Sequence, residues 1–398
     1  GLLYANLSKR LAADGMTIEH FSYTTSTAHL RVRNAQIDAG PQAVGRAARA
    51  LSQVMPASVE VFEIVPMVRG MGASKITIRR SDLEALEHAP GNDALLREKV
   101  QISDAGPAPA GGLDWGDAYP KFTWRLTPAL RISQPLVGDV GLRFSASYEL
   151  RPGLVLSGAV YQRVADNLDE YVTRPEDFSI LPHVRSDVHD YNVEGGTSVD
   201  RLTLAWYAKP ADNLYSRVTL GYLERMHAGV SGELLWKPVA SRLALGVELN
   251  YTMQRDRDGG FGFSDYDYGI ATGHVSAYYD FGRGFLGQVD VGRYLAGDVG
   301  ATFSLDREFG NGVKVGAFAT FTSASAAEFG EGSFDKGLRL TIPMNWILGQ
   351  PSRGEMNTVL RPLQRDGGAR VEVDGRLYDS IRDYHLGRLD SEWGRVWR

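Results

Sequence analysis

Residues 242–254 read Arg242-Leu243-Ala244-Leu245-Gly246-Val247-Glu248-Leu249-Asn250-Tyr251-Thr252-Met253-Gln254. Leu243, Leu245, Val247, Leu249, Tyr251 and Met253 share one parity, and Ala244, Gly246, Glu248, Asn250, Thr252 and Gln254 the other. Successive side chains of a strand point to opposite faces, so this run has one apolar face and one small or polar face. The pattern recurs in segment after segment from Lys121 onward, with charges on the polar parity. Repeated in this way it predicts a transmembrane antiparallel β-barrel, apolar towards lipid and wet within.

The connections sharpen that reading. Arg151-Pro152-Gly153, Lys209-Pro210-Ala211-Asp212-Asn213, Lys237-Pro238, Phe281-Gly282-Arg283-Gly284 and Phe309-Gly310-Asn311-Gly312 are short turns at every second junction, while 164–198, 255–268 and 324–333 are long loops at the others. Outer-membrane barrels combine short periplasmic turns with longer extracellular loops. The segments sum to about 14 strands, the last being 356–364 and 369–379. Twelve strands with a periplasmic C-terminal tail is the alternative, because Pro362 interrupts the thirteenth and proline is confined to sheet edges and bulges.

Residues 1–100 have a different rhythm and predict a small α+β module. Leu3, Leu7 and Leu11 share a helical face, and Pro41 opens a second helix with Val44, Ala47, Ala48 and Leu51 as its inner stripe. Each helix precedes two strand-like runs. Ile18-Glu19-His20-Phe21 parallels Val59-Glu60-Val61-Phe62, and His29–Arg33 parallels Lys75–Arg79, which suggests a tandem α-β-β duplication. Ser81 and Glu84 read as a capping box starting a short third helix. Glycine and proline mark residues 101–119 as a linker, leaving 120–398 for the barrel and its C-terminal tail.

Composition excludes several classes. There is no cysteine, hence no disulfide, thiolate metal site or cysteine nucleophile, and the net charge of −5 lacks the basic block of a nucleic-acid binder. No apolar run reaches the roughly 18 residues of a membrane helix. Glycine supplies 45 of 398 residues, more than the usual share of about 7%, and much of the excess lies inside strand patterns. Eighteen tyrosines and seven tryptophans suit interfacial girdles. The chain opens without an export signal, so a precursor is expected to extend further upstream.

Alternation sends Phe122, Trp124, Phe144, Leu204, Trp206, Val289 and Phe303 outward. Arg125, Arg131, Arg143, Glu149, Arg201, Glu233, Glu248, Asp290, Asp306, Lys314 and Arg339 go to the lumen, either pairing to neutralise a filled interior or lining a passage. In the 255–268 loop, Phe261, Phe263, Asp265, Tyr266, Asp267 and Tyr268 combine aromatic faces with carboxylates, as a saccharide contact would. His183 and His189 lack further ligands for a metal. Asp256-Arg257-Asp258-Gly259-Gly260 lacks the downstream glutamate of an EF-hand. No Ser-His-Asp constellation stands out, so no catalytic residue, metal or cofactor is expected, and the chain reads as a non-enzyme.

The stretch Phe329-Gly330-Glu331-Gly332-Ser333-Phe334-Asp335-Lys336-Gly337, then Ile342-Pro343 and Arg361-Pro362-Leu363-Gln364-Arg365-Asp366-Gly367-Gly368, resembles the C-terminal region of the YjbH-like exopolysaccharide proteins. Tyr4-Ala5-Asn6-Leu7 through Val65 is similar to that family's middle portion. The resemblance implies an outer-membrane protein of exopolysaccharide or capsule export, with the N-terminal module in the periplasm. It implies an exopolysaccharide chain, outer-membrane lipid and other export proteins as partners. It further implies a preceding half that carries a lipidated cysteine and another barrel. A passive channel for small solutes and a polysaccharide-modifying enzyme are the alternative functions.

Overall fold

A computed structural model of the chain describes residues 1–173, 179–325, 334–361 and 365–398. Parts of the 164–198 and 324–333 loops, and the glycine-rich block up to Ser333, lie outside the described residues, as do Pro362, Leu363 and Gln364.

Residues 1–114 build a seven-stranded mixed sheet under two helices, α1 (Leu2–Ala13) and α2 (Gly40–Val54), and the stretch 101–119 expected as a linker supplies two of its strands. Its strands are β1 (Met16–Tyr23), β2 (Thr27–Asn34), β3 (Val61–Val68), β4 (Met71–Gly72), β5 (Lys75–Arg79), β6 (Gln101–Ser103) and β7 (Leu113–Asp114). The order is β6-β5-β3-β2-β1-β7, with β4 paired to β3. Leu7 and Leu11 of α1 meet Val44, Ala47, Ala48 and Leu51 of α2 over Ile18, Leu30, Val32, Phe62, Ile64 and Ile78 of the sheet. The helical stripes and the alternate strand positions therefore bury against each other, as their periods demand.

The element order α-β-β does occur twice. The two hairpins β1–β2 and β3–β5 are antiparallel, but α2 crosses over so that β3 runs parallel to β2. The leading strands β1 and β3 consequently point in opposite directions, and the halves are not related by a shift across the sheet. The capping box does not form. The helix starts two residues early, at Arg80, and the Ser81 hydroxyl bonds to Glu60 across the strand end instead.

Thirteen antiparallel strands, β8 (Lys121–Gln134) to β20 (Glu355–Leu360), follow as a continuous meander in which each strand pairs with its sequence neighbours. In β14 (Leu243–Gln254) exposure and burial alternate without a break, as in the sequence. Phe122, Trp124, Phe144, Leu204, Trp206 and Phe303 are exposed on the outer face, with Val289 half-exposed. Among the described residues no ladder joins β8 to β20, so the expected barrel is not closed by hydrogen bonds. A Cβ on Gly354, in the turn before β20, would stand 2.9 Å from Nη1 of Arg125 in β8, so the two ends of the meander approach each other.

The expected fourteenth strand is not one. Residues 369–376 leave the sheet and run along its inner face. Val371 and Val373 alternate with charges because the valines join a buried cluster with Val184, Leu223, Ile270 and Leu295, while Arg370 and Arg376 reach strand carboxylates. A helix at Leu377–Arg382 then packs on Tyr207, Tyr215, Leu235, Ala244 and Tyr278. A period of two can thus mark a buried extended segment without any ladder.

The chain end returns to the N-terminal module rather than forming a free tail. Tyr384, Leu389, Trp393 and Val396 lie in the same core as α1 and α2. Gly45 permits this close approach, since a Cβ there would stand 1.8 Å from the Val396 carbonyl oxygen. Substituting Gly45→Ala is expected to cost about 1–3 kcal/mol by overpacking, and Trp393→Ala about 3–5 kcal/mol by cavity formation. Limited proteolysis should then release the segment beyond residue 383 from both variants while the strands stay protected. Unchanged cleavage in both would mean that the C-terminal helices are not held by this core.

Candidate functional site

The inner face of the large sheet gathers a dense cluster of buried charge. Arg217 of β12 (Leu214–Tyr222) is fully buried, 3.0 Å from Glu233 of β13 (His227–Trp236) and 3.4 Å from Glu248 of β14. Arg376 grips Glu248 with two bonds of 2.8 Å, and Arg370 bridges Glu248 at 3.5 Å and Asp290 of β16 (Phe285–Arg293) at 3.3 Å. The Leu377 amide donates to Glu233 at 3.0 Å. Three carboxylates thus face three guanidinium groups, two of them supplied by the threaded segment. Without Arg370 and Arg376, the strands would hold three carboxylates against Arg217 alone.

At one end of the sheet the long loops fold over this segment. Arg185 pairs with Glu224 through contacts of 2.5 and 2.7 Å, and Glu224 also accepts from His227 and from the Glu372 amide at 2.7 Å. The Arg185 guanidinium holds the Glu224 carboxyl well below its ordinary range. Asp366 accepts the backbone amides of Arg185 and Ser186 at 2.9 Å, and Asp298 that of Gly368 at 2.7 Å. These bonds clamp the entry of the inner segment.

At the other end, the short turns meet the N-terminal module and the C-terminal helices. Lys209 bonds Asp104 at 2.6 Å, Arg388 pairs with Glu308, and Arg353 bonds the Asn34 carbonyl at 3.0 Å. Tyr215 of the sheet and His385 both reach the Ala73 carbonyl, at 3.1 and 2.8 Å. Burial pushes the His385 imidazole down to about 3, so it is neutral at this three-way joint.

Of the residues assigned to the lumen, Glu233, Glu248 and Asp290 meet in the central network. Arg131 is buried on Asp139, and Arg143 pairs with Asp200 at 2.9 Å nearby. Arg201 lies 3.9 Å from Asp374 of the inner segment. Asp306 pairs with Arg339 at 2.8 Å, and Lys314 lies 3.3 Å from Glu355. Two residues go elsewhere. Glu149 sits at the strand end and binds Arg33 of the module, and Arg125 is exposed beside the 344–354 turn.

The aromatic loop spends most of its faces internally. Phe263 stacks on Tyr222 and Tyr266 on Tyr191, with ring centroids 6.0 and 6.1 Å apart. The Tyr266 hydroxyl donates to Asp187, that of Tyr268 to the Leu295 carbonyl, and Asp265 accepts the Arg257 amide. Phe261 stays mostly exposed, as does Asp267. His183 bonds Asp187 and the Ser179 carbonyl, and His189 stacks on Tyr171 at 3.8 Å. Among the described residues no group of three or more His, Asp or Glu is arranged to hold a metal ion.

Sequence reasoning missed Arg217, Arg185 and Glu224, and gave Arg370 and Arg376 to a strand. Arg217 carried a usable signal, since it lies on the inward parity of its strand opposite Glu233. Arg370 and Arg376 lie more than a hundred residues from Glu248, and Arg185 and Glu224 are 39 residues apart, so no local pattern reveals these pairs.

Comparison with known families matches residues 2–383 to the YjbH model, described as "Exopolysaccharide biosynthesis protein YbjH". The "Uncharacterized lipoprotein YjbH" of Escherichia coli K12 is 35% identical over 249 residues, 62% of this chain and 36% of that protein. The chain therefore spans about a third of that relative's length.

Two outcomes test the network. Removing one partner of a buried pair costs about 3–5 kcal/mol, so Glu248→Ala, which strands Arg217, Arg370 and Arg376, should lower the urea midpoint of folding in detergent. Arg376→Ala should cost less, and the double variant should cost less than the sum. The Glu224 carboxyl has a folded pKa below its ordinary 4.5, so its contribution is complete above that pH and fades as the pH falls. Hydrogen exchange of residues 369–373 should accelerate on acidification through this range. Glu224→Gln should accelerate exchange at neutral pH and flatten the acid response.

Proposed function

This chain belongs to the YjbH family of exopolysaccharide biosynthesis proteins, and from that premise we propose that it is an outer-membrane β-barrel unit of polysaccharide secretion. In this reading the barrel is plugged by its own C-terminal segment and acts as an accessory or gated conduit. The observation that carries the proposal is the thirteen-stranded meander with an apolar exposed outer face and a charged, filled inner face. Water is a poor neighbour for rows of exposed Trp, Phe and Leu, and large apolar patches mark interaction or membrane surfaces. The approach of Arg125 to Gly354 supports closure of the meander into a barrel. The lipoprotein designation of the Escherichia coli relative supports a membrane location.

The orientation follows from the same features. The turns at 152–153, 212–213, 237–242, 283–284 and 309–313 lie at the end occupied by the module, which fits the periplasmic side; the opposite end carries the long 255–268 loop beside the shorter 135–136, 223–226 and 294–298 turns, and fits the cell surface. Barrels of about eight strands are filled by side chains and those of 16–18 leave channels. Thirteen strands enclose space between these limits, and here residues 369–382 occupy it. That filling favours a gated or accessory role over a permanently open solute channel.

A charged residue on a lipid face costs about 2–4 kcal/mol near the midplane. Val247→Arg, on the outer face at the middle of β14, should therefore sharply reduce folded protein in vesicles, whereas an exposed position in water would tolerate it. In planar bilayers the wild-type chain should conduct little, and the Arg370→Ala, Arg376→Ala double variant should open frequently. In a strain lacking the protein, secreted polymer should fall, and epitopes inserted in 255–268 should label on intact cells while those at Pro210 or Gly310 do not. Normal folding of Val247→Arg would remove the membrane reading, and unchanged polymer secretion would remove the secretory one.

A further inference from the structure

A polar cavity lies at the module end of the sheet, away from the inner charge network. It is a cleft of about 590 Å³ between the module and the turn that joins β19 (Asp335–Pro343) to β20. That volume falls within the roughly 300–1,000 Å³ of small-molecule sites. One wall is formed by the turns flanking α2 and the end of α1, with Gln36, Asp38 and Gln42; the other by Asn345, Trp346 and Gln350.

The chemistry of the lining is specific. The Trp346 indole is 55% exposed on this wall, beside the exposed Ile347 and Leu348. Asn345 donates to Asp38 across the cleft at 2.6 Å, while its side-chain amide oxygen Oδ1 is buried and accepts from no protein group among the described residues. The charged groups of the lining balance. Asp14 pairs with Arg46, which also donates to the Arg398 carbonyl, while Arg395 donates one N–H to the Gly310 carbonyl and sets its charge against that of Asp38. With two carboxylates and two guanidinium groups, the lining has no net charge to select an anion, and it offers an apolar ring face among side-chain amides.

Such a surface suits a ligand that has both an apolar C–H face and many hydroxyl groups. The ring covers the former, and two-headed amides exchange donor and acceptor bonds with the latter. We propose that this cleft binds a short stretch of neutral, hydroxyl-rich saccharide, with Trp346 as the stacking platform and Asn345, Gln350 and Gln42 as its hydrogen-bonding partners. The proposal rests on the secretory reading for its polymer but not for its chemistry. Bound there, a glycan would lie against both the module and the sheet, at the mouth that the C-terminal helices occupy.

The test uses the full chain in detergent micelles and, as probes, neutral tetrasaccharides of α-linked glucose, β-linked glucose and β-linked galactose. Saturation-transfer NMR should detect at least one of them. The signal should fall at least tenfold in Trp346→Ala, persist in Trp346→Phe, and fall again in Gln350→Ala, a variant that leaves the fold's own contacts intact. Absence of binding by all three probes, or binding that survives both Trp346→Ala and Gln350→Ala, overturns the proposal. In cells lacking the protein, failure of the wild-type chain to alter secretion would count against the secretory reading alone. Restoration by wild type and equally by Trp346→Ala and Gln350→Ala would count against the cleft alone.

Discussion

Everything in the large sheet depends on one electrostatic constraint: carboxylates placed on a buried face need cations within reach. Alternation puts Glu233, Glu248 and Asp290 on the inner face, and the strands offer Arg217 as their nearest cation. An uncompensated buried charge costs several kcal/mol. The chain meets that cost by bringing Arg370 and Arg376 inside on its own C-terminal segment, with bidentate geometry at Glu248. The valines between them then pack against loop and strand residues, so the charge pairing and the apolar burial hold the same segment in the same place.

The odd number of strands follows from this arrangement. An even meander would end beside the module where it began. Thirteen strands end at the loop side, and the chain must cross the interior once more to deliver Tyr384, Leu389, Trp393 and Val396 to the module core. The inner segment is therefore both a filling and a tether, clamped by Arg185, Asp366 and Asp298 at one end and by His385 at the other. Tyr215 and His385 meeting at the Ala73 carbonyl ties sheet, module and chain end at a single point. The neutral His385 imidazole makes that joint acid-sensitive, because its folded pKa of about 3 lies below the ordinary 6.5. Its contribution is complete above 6.5 and declines as the pH drops below it.

Such wiring makes the module and the inner face of the large sheet mechanically one unit. A ligand or partner that shifts the module would pull on the segment that lies along that face, and the cleft beside Trp346 adjoins the same assembly.

The sequence by itself determined most strands of the large sheet, their faces and the change from an α/β rhythm to a β-meander. Each rests on a local period or a local turn, as in Leu243–Gln254 or at Gly153 and Asn213, and such signals need no distant partner. The outward Trp124 and Phe303 and the inward Glu248 were legible for the same reason. Tertiary structure alone decided that Arg370 to Arg376 is an internal thread and not a fourteenth strand. It also decided that Glu149 answers Arg33 of the module, and that the aromatic faces of Phe263 and Tyr266 are covered by Tyr222 and Tyr191. Alternation reports that a segment has two unlike sides, whereas what lies against each side is set by contacts between residues far apart in the chain.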